Sequence, residues 1–422
     1  MKLRTRREFL AESSGALLLA TARLQAQPVS SLTGGEPDWD EIARSFSISR
    51  DCLSLNSAGA SSLPRPVLAS IEALIREAEE LPSWNLFRYG PRLEPVRQDL
   101  ARMFGCDAEE VAVVRNATEA LQTVLLGVPL EKGDEVLTTT LDYYAMLDAL
   151  EQRRQREGIV VKKARVPVPA HTEDDLLAAF ESGITDRTKL ILVSHPVNLT
   201  GQHFPVARIC DMAHARGIEV VVDAAQSFGQ FEVTAGSLKC DYMGTSLHKW
   251  LLGPKGTGLL YVRRSKIEKV WPLVAAGAGA GRNPDDIRKY ETIGTGPMTV
   301  LGLAEALKFH SMLGVGRIAA RLKYLTRLWV DALQADGRFE FHTSFAPGMS
   351  NGLATVHLKG ADSFKVFDRL FRQEKILAFN VARRTKEFQG IRASAGLFNT
   401  PEEIERFVTA MRRIADEMPR HA

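Results

Sequence analysis

Between residues 65 and 265 the chain alternates short apolar runs with amphipathic stretches, and this rhythm limits the fold more than any other feature. The runs at 111–115, 135–140, 189–194, 218–223, 241–245 and 258–263 have the length and residue types of strands. Predicted helices lie at 118–128, 144–157, 173–182 and 205–216. The last carries Pro205 in its first turn and stops at Gly217. Strand–helix alternation predicts an α/β sheet covered by helices on both faces. In such sheets ligands collect beyond the C-terminal strand ends. The loops that follow these runs are therefore where chemistry is expected.

The pattern changes over 265–298, where Ala275 to Gly281 is an alanine–glycine run and Gly294-Thr295-Gly296-Pro297 follows. A long helical stretch at about 299–335 leads into strands near 339–344 and 353–358 and helices near 362–375 and 401–417. This second unit reads as a smaller α+β domain closing over the first. The expected organisation is a leader at 1–26, an N-terminal segment at 27–64, a large domain at 65–298 and a small C-terminal domain at 299–422. A chain of 422 residues has ample length for two such cores.

The leader has its own signature. Thr5-Arg6-Arg7-Glu8-Phe9-Leu10 resembles a twin-arginine export signal, and the apolar stretch Ala16-Leu17-Leu18-Leu19-Ala20 follows it. Export to the periplasm is the expectation, with signal cleavage near Ala22 or Ala26. The apolar stretch is too short to span a bilayer, so no stable membrane insertion is expected after cleavage. Residues 1–26 carry Lys2, Arg4, Arg6, Arg7 and Arg23 against Glu8 and Glu12, a surplus that equals the whole chain's +3. The remainder is balanced, so no nucleic-acid partner is implied. Cys52, Cys106, Cys210 and Cys240 are scattered, and no metal-ligand spacing occurs.

The most telling residue is Lys249. It sits in Ser246-Leu247-His248-Lys249-Trp250, just before the glycine-rich run Gly253 to Gly258. Upstream, Val220-Val221-Val222-Asp223 is an apolar run ending in an acid. An acid at a strand end followed by such a lysine suits pyridoxal 5'-phosphate (PLP). The amine forms a Schiff base with the aldehyde, and the carboxylate pairs with the pyridinium nitrogen. A buried carboxylate needs such a partner. Gln226 and Asn198 lie just after strand ends, within reach of a ring hydroxyl. Asn116-Ala117-Thr118-Glu119 opens a helix, whose unpaired N–H groups favour a phosphate. Read alone, that segment is an ordinary helix cap and Asn198 an ordinary turn residue.

Taken in order, these pieces resemble the class V aminotransferases, PLP enzymes of fold type I, over roughly residues 40–420. Leu55-Asn56-Ser57-Ala58-Gly59 and Asp142-Tyr143-Tyr144-Ala145-Met146 look most like the isopenicillin-N epimerase-like branch. The resemblance implies a large, mainly parallel α/β domain with a smaller α+β domain, PLP as cofactor and a homodimer with shared active sites. It implies Lys249 as the Schiff-base residue and Asp223 as the partner of the ring nitrogen. Gln226 and Asn198 would serve the 3-hydroxyl, and Ala117, Thr118, Ser246 and His248 the phosphate. Thr295 would reach the partner subunit's phosphate. Asn56 and Arg392 would meet the amino-acid substrate, with Arg392 gripping its carboxylate. Tyr143 would stack on the cofactor opposite Lys249 and is a candidate second acid–base for epimerisation.

Two departures bear on the reaction. Cysteine desulfurases of this family need a nucleophilic cysteine on a C-terminal loop, and no cysteine follows Cys240. Ser394-Ala395-Gly396-Leu397-Phe398-Asn399 also lacks the histidine that often follows the arginine. The expected enzyme is an aminotransferase or an epimerase acting at the α-carbon of an amino acid. A β-lyase or desulfurase-like enzyme is the alternative, and a catalytically silent PLP-binding envelope protein is the rival of another class.

Overall fold

The computed structural model describes residues 37–275, 283–292 and 296–418, with the side chains of residues 84–88 left aside. The twin-arginine motif, the apolar stretch behind it and Thr295 lie outside the described residues. Strand β1 (Leu53–Ser54) is followed by β2 (Val111–Val114), β3 (Glu135–Thr139), β4 (Val160–Ala164), β5 (Thr188–Ser194), β6 (Glu219–Asp223), β7 (Tyr242–Ser246) and β8 (Gly258–Val262). Strands β2 to β8 form one seven-stranded sheet in the order β2-β8-β7-β6-β5-β3-β4. Neighbours β4, β3, β5, β6 and β7 pair in parallel, and β8 runs antiparallel to both β7 and β2. Helices such as Ala117–Gly127, Tyr144–Glu157 and Val206–His214 connect the parallel strands. Both sheet faces are buried under separate apolar clusters, one including Leu137, Ile191, Val220 and Val222 and the other Val136, Leu190, Leu192 and Val221.

Strand β4 was not among the runs read from sequence. It is the sheet edge, its five residues are exposed or half-buried, and Lys162 and Lys163 break the apolar run. An edge strand needs no buried alternation and is often guarded by lysine. The helical stretch expected at about 299–335 is three helices, Pro297–Leu301, Leu303–Leu313 and Val315–Gln334. Gly302 separates the first two where a Cβ would lie 2.7 Å from Ile71. Gly314 separates the last two with φ +80°, a left-handed conformation that favours glycine.

The C-terminal unit carries β9 (Phe339–Phe341), β10 (Ala354–Leu358), β11 (Ile376–Leu377), β12 (Phe379–Asn380) and β13 (Ile391–Ala393). Four of these form an antiparallel sheet in the order β12-β13-β10-β9. Helices Val315–Gln334, Ser363–Arg372 and Pro401–Glu417 pack on it around Trp329, Phe407 and Met411. The N-terminal segment joins this core: β1 pairs in parallel with β11, and Leu53 and Leu55 are buried in it. That pairing brings Asn56 beside Ser394, next to Arg392. Among the described residues no helix is long and apolar enough to cross a membrane.

Candidate active site

Strand register assembles the first half of the site. Ser194 at the end of β5 lies opposite Asp223 at the end of β6, and Asp223 lies opposite Gly244 of β7. Ser246 ends β7, and its hydroxyl oxygen accepts a 2.9 Å bond from the Ala117 backbone N–H. Gly258 lets the chain at Asn116 come this close, because a Cβ there would meet the Asn116 backbone at 2.6 Å. Asn116 caps the helix by accepting from the Glu119 N–H at 2.9 Å. Capping therefore falls to Asn116, and Thr118 keeps its hydroxyl for the cavity that it lines. This helix start and the ends of β6 and β7 face one cavity of about 310 Å³.

Lys249 and Asp223 both line this cavity. Asp223 is 8% exposed, and burial pushes its carboxyl up to about 6 against the pull of the Lys249 charge. One carboxylate oxygen accepts from the Ala225 N–H at 3.0 Å. Lys249 is partly open to the cavity yet enclosed by protein. Lost hydration pushes its ammonium down to about 8, with Asp223 pulling the other way. A group so placed can switch between amine and ammonium near neutral pH. Burial also lowers His248 to about 4, which leaves a neutral imidazole with Nδ1 buried and unpaired.

The opposite wall comes from the C-terminal unit. Arg392, on β13, is 3% exposed and lies over the Phe379 ring at 4.6 Å. It donates to the Asn198 carbonyl oxygen at 2.7 Å and to Asn56 Oδ1 at 2.6 Å, while its Nε is buried without a partner. Both of these bonds are to neutral oxygens. Burial lowers the guanidinium to about 10, so it stays charged at neutral pH and is suited to an arriving anion.

Three expected residues take positions that refine their roles. Gln226 lines the cavity, but its amide oxygen accepts from Trp250 Nε1 at 3.0 Å and its nitrogen donates to the Ala58 carbonyl at 3.0 Å. One amide N–H remains, so Gln226 mainly braces the wall. Asn56 orients Arg392 with its side-chain oxygen. Asn198 carries a buried, unpaired Oδ1 at the cavity, besides the carbonyl that holds Arg392.

Tyr143 also lines the cavity, just ahead of helix Tyr144–Glu157. Burial first, then its contact with Tyr144, pushes its phenol up to about 12. It is therefore a proton donor at neutral pH. Preceding it, Asp142 is fully buried and accepts from Ser194 Oγ at 2.6 Å, Thr138 Oγ1 at 2.7 Å, and the Thr139 N–H and Oγ1 at 2.8 Å each. Sequence reasoning assigned Asp142 no such role, and it passed over Ser194, Phe379 and Arg384 altogether. An acid just past an apolar strand was the available signal for Asp142. Nothing in the local sequence marks the other three.

The donor set fits PLP. Asp223 offers a carboxylate for a ring N–H⁺, Lys249 an amine of lowered pKa, the helix start with Ser246 a phosphate cradle, and Asn198 an orphaned buried oxygen. Fold and site together define a PLP-dependent enzyme of fold type I, with a mostly parallel mixed sheet and helices on both faces. The chain belongs to the aminotransferase class-V family, whose sequence model matches residues 54–407. It is 29% identical over 400 residues to an isopenicillin N epimerase of Streptomyces clavuligerus, covering 90% of this chain and 99% of that protein. It is 28% identical over 344 residues to a cysteine desulfurase of Klebsiella pneumoniae, covering 76% of this chain and 82% of that protein. Among solved structures, the cysteine desulfurase CsdA from Escherichia coli superposes with a TM-score of 0.79 at 21% identity, covering 91% of this chain and 100% of that one.

Proposed function

We propose that the protein is an amino-acid epimerase that exchanges the proton on the substrate α-carbon between two faces. The observation that carries this reading is that Lys249 and Tyr143, two groups able to move a proton, line the same cavity as Arg392. When bound, PLP supplies an electron sink for the electrons left when the Cα–H bond breaks. Asp223 would hold the proton on the ring nitrogen. Thr118, the helix start at Ala117, Ser246 and His248 would hold the phosphate. Ser246 is ready for this, because its oxygen already accepts from Ala117 and its proton is free to be donated. Arg392 would grip the α-carboxylate, oriented by Asn56 and Asn198. Lys249, with an ammonium lowered to about 8, can take the α-proton. Tyr143, held at about 12, can return one.

The likeness to the Streptomyces clavuligerus epimerase supports this reading, since it spans 99% of that protein. A desulfurase reading lacks its nucleophile: none of the four cysteines lines the cavity, and Cys240 is buried with its thiol pushed well above the ordinary range. The proposal includes a homodimer in which Thr295 reaches the partner subunit's phosphate, and export of the folded, loaded enzyme by the twin-arginine route. Sedimentation and cell fractionation check these two points.

The main test incubates PLP-loaded protein with single L-amino acids in deuterated water, with and without a keto-acid acceptor. Both enantiomers carrying Cα deuterium, without need of acceptor, are expected. Acceptor-dependent keto acid would assign transamination instead, and ammonia or sulfide with keto acid a lyase. Tyr143→Phe is expected to slow racemisation by roughly 10²-fold, the lower range for a positioned general acid. Racemisation at the parent rate would remove Tyr143 from the proton path.

A further inference from the structure

Arg384 is a cation on the cavity wall with no assigned task. The ionisable groups of ordinary charge lining the cavity are Lys249, Arg392, Arg384 and Asp223. On the reading above, Asp223 serves the ring nitrogen, the helix start with Ser246 and His248 serves the phosphate, and Arg392 takes the α-carboxylate. Arg384 is left over. It is exposed, and its guanidinium lies 4.0 Å from the centre of the Tyr144 ring. No carboxylate of the described residues forms an ion pair with it. Its charge reaches into the site, where it pulls the Tyr143 phenol downward.

The two cavity arginines share one design. Arg392 rests on Phe379 and Arg384 on Tyr144. An aromatic seat fixes the plane of a guanidinium and leaves its edge N–H groups free for a bidentate anion. The adjacent Arg383 shows the contrast: it rests on Phe367 at 4.9 Å and does not line the cavity. Two consecutive arginines therefore diverge, and only Arg384 is presented to the site. Arg392 is deep and Arg384 is open to solvent, so one ligand could meet the first with its α-carboxylate and the second with its far end.

We propose that Arg384 binds a second, distal carboxylate of the substrate, so that this enzyme selects amino acids with an acidic side chain. The proposal rests on the amino-acid reading given above. Binding is read from the change in cofactor absorbance when L-glutamate, its homologue one methylene longer, or L-glutamine is added to the PLP-loaded protein. The dissociation constant for PLP is measured in parallel. The parent is expected to bind one of the two diacids at least tenfold more tightly than L-glutamine, as one charge-assisted bond allows (about tenfold). Arg384→Gln should close that gap, Arg384→Lys should restore part of it, and Arg383→Gln should leave it intact. PLP affinity should move less than about twofold in Arg384→Gln, since a lost phosphate contact would cost about tenfold or more.

Equal binding of diacids and L-glutamine by the parent overturns the proposal. So does an equal loss for all three ligands in Arg384→Gln, which would place Arg384 on the α-carboxylate. A fall in PLP affinity overturns it too, by assigning Arg384 to the cofactor phosphate. A parent that responds to no amino acid, mono- or dicarboxylic, sinks the amino-acid reading itself, a result distinct from loss of discrimination alone.

Discussion

The two walls of the cavity are built by different means. The strand-end wall takes its positions from the backbone: Asp223 and Ser194 sit where parallel pairing puts them, Ser246 is set by the antiparallel β7–β8 pairing, and the Ala117 backbone N–H donates to Ser246 from a helix start 129 positions away in sequence. The C-terminal wall is built by side chains. Arg392 is held by Asn198 and Asn56, which lie 194 and 336 positions away in sequence. The first wall carries opposite charges whose ionisation burial opposes on both sides, with Asp223 near 6 and Lys249 near 8. The second carries a cation that remains charged and is surrounded by neutral oxygens. A wall whose charges titrate near neutrality is suited to moving protons. A wall with a fixed cation on an aromatic seat is suited to recognition.

Substitutions separate the two walls. Lys249→Ala should give the largest effect. Absorbance from lysine-bound cofactor should vanish, and turnover should fall by roughly 10³-fold or more, toward the upper range for a lost acid–base group. Arg392→Gln should act differently. The cofactor absorbance should persist, while kcat/KM falls by roughly 10²-fold, mostly through KM, as expected for a lost bidentate carboxylate contact. Spectra and steady-state kinetics of the two variants check this. If Arg392→Gln lost the cofactor band, or Lys249→Ala changed only KM, the division of labour between the walls would collapse.

The same division explains what the sequence could tell. The strand-end wall lies mostly in one continuous stretch, from Asp223 to Gly258, bounded by apolar runs, and its chemistry is legible without a structure. The strands that carry it appear at their expected places within a residue or two. Local pattern fails where geometry is not local. Strand β4 has no buried face to leave a signal, and the helical stretch expected at about 299–335 is divided at glycines whose demands come from Ile71 and from a left-handed turn. Family likeness places Arg392, but its clamp joins the Asn198 carbonyl, in the turn after β5, to Asn56, which follows the strand paired with β11. Gln226 shows the reverse case. Its position beside the site was legible, while its engagement with Trp250 and Ala58 was not.

The smallest effect is a pH dependence confined to the strand-end wall. Asp223 has a folded value of about 6, against about 4 for an unfolded aspartate. Between these values the folded chain binds more proton, so stability falls as pH rises through that window. Lys249 has a folded value of about 8, against about 10.4 unfolded. Between these the unfolded chain binds more proton, so stability rises with pH there. The cofactor-free protein should thus carry the cost of both charges between pH 6 and 8. Asp223→Asn keeps an oxygen for the Ala225 N–H but removes one charge. At pH 7 it should stabilise the apo protein by about 1–3 kcal/mol, the scale of a two-unit shift in which the attraction of Lys249 is already included. At pH 4 to 4.5 the gain should shrink toward zero, because the parent's aspartate is then protonated as well. Arg392 is charged across this whole range, so a parent–variant difference for Arg392→Gln should not change between the two pH values. Urea unfolding of the three apo proteins at both pH values measures this. A gain from Asp223→Asn that is equally large at pH 4 would show that burial of the carboxylate charge is not what the strand-end wall opposes.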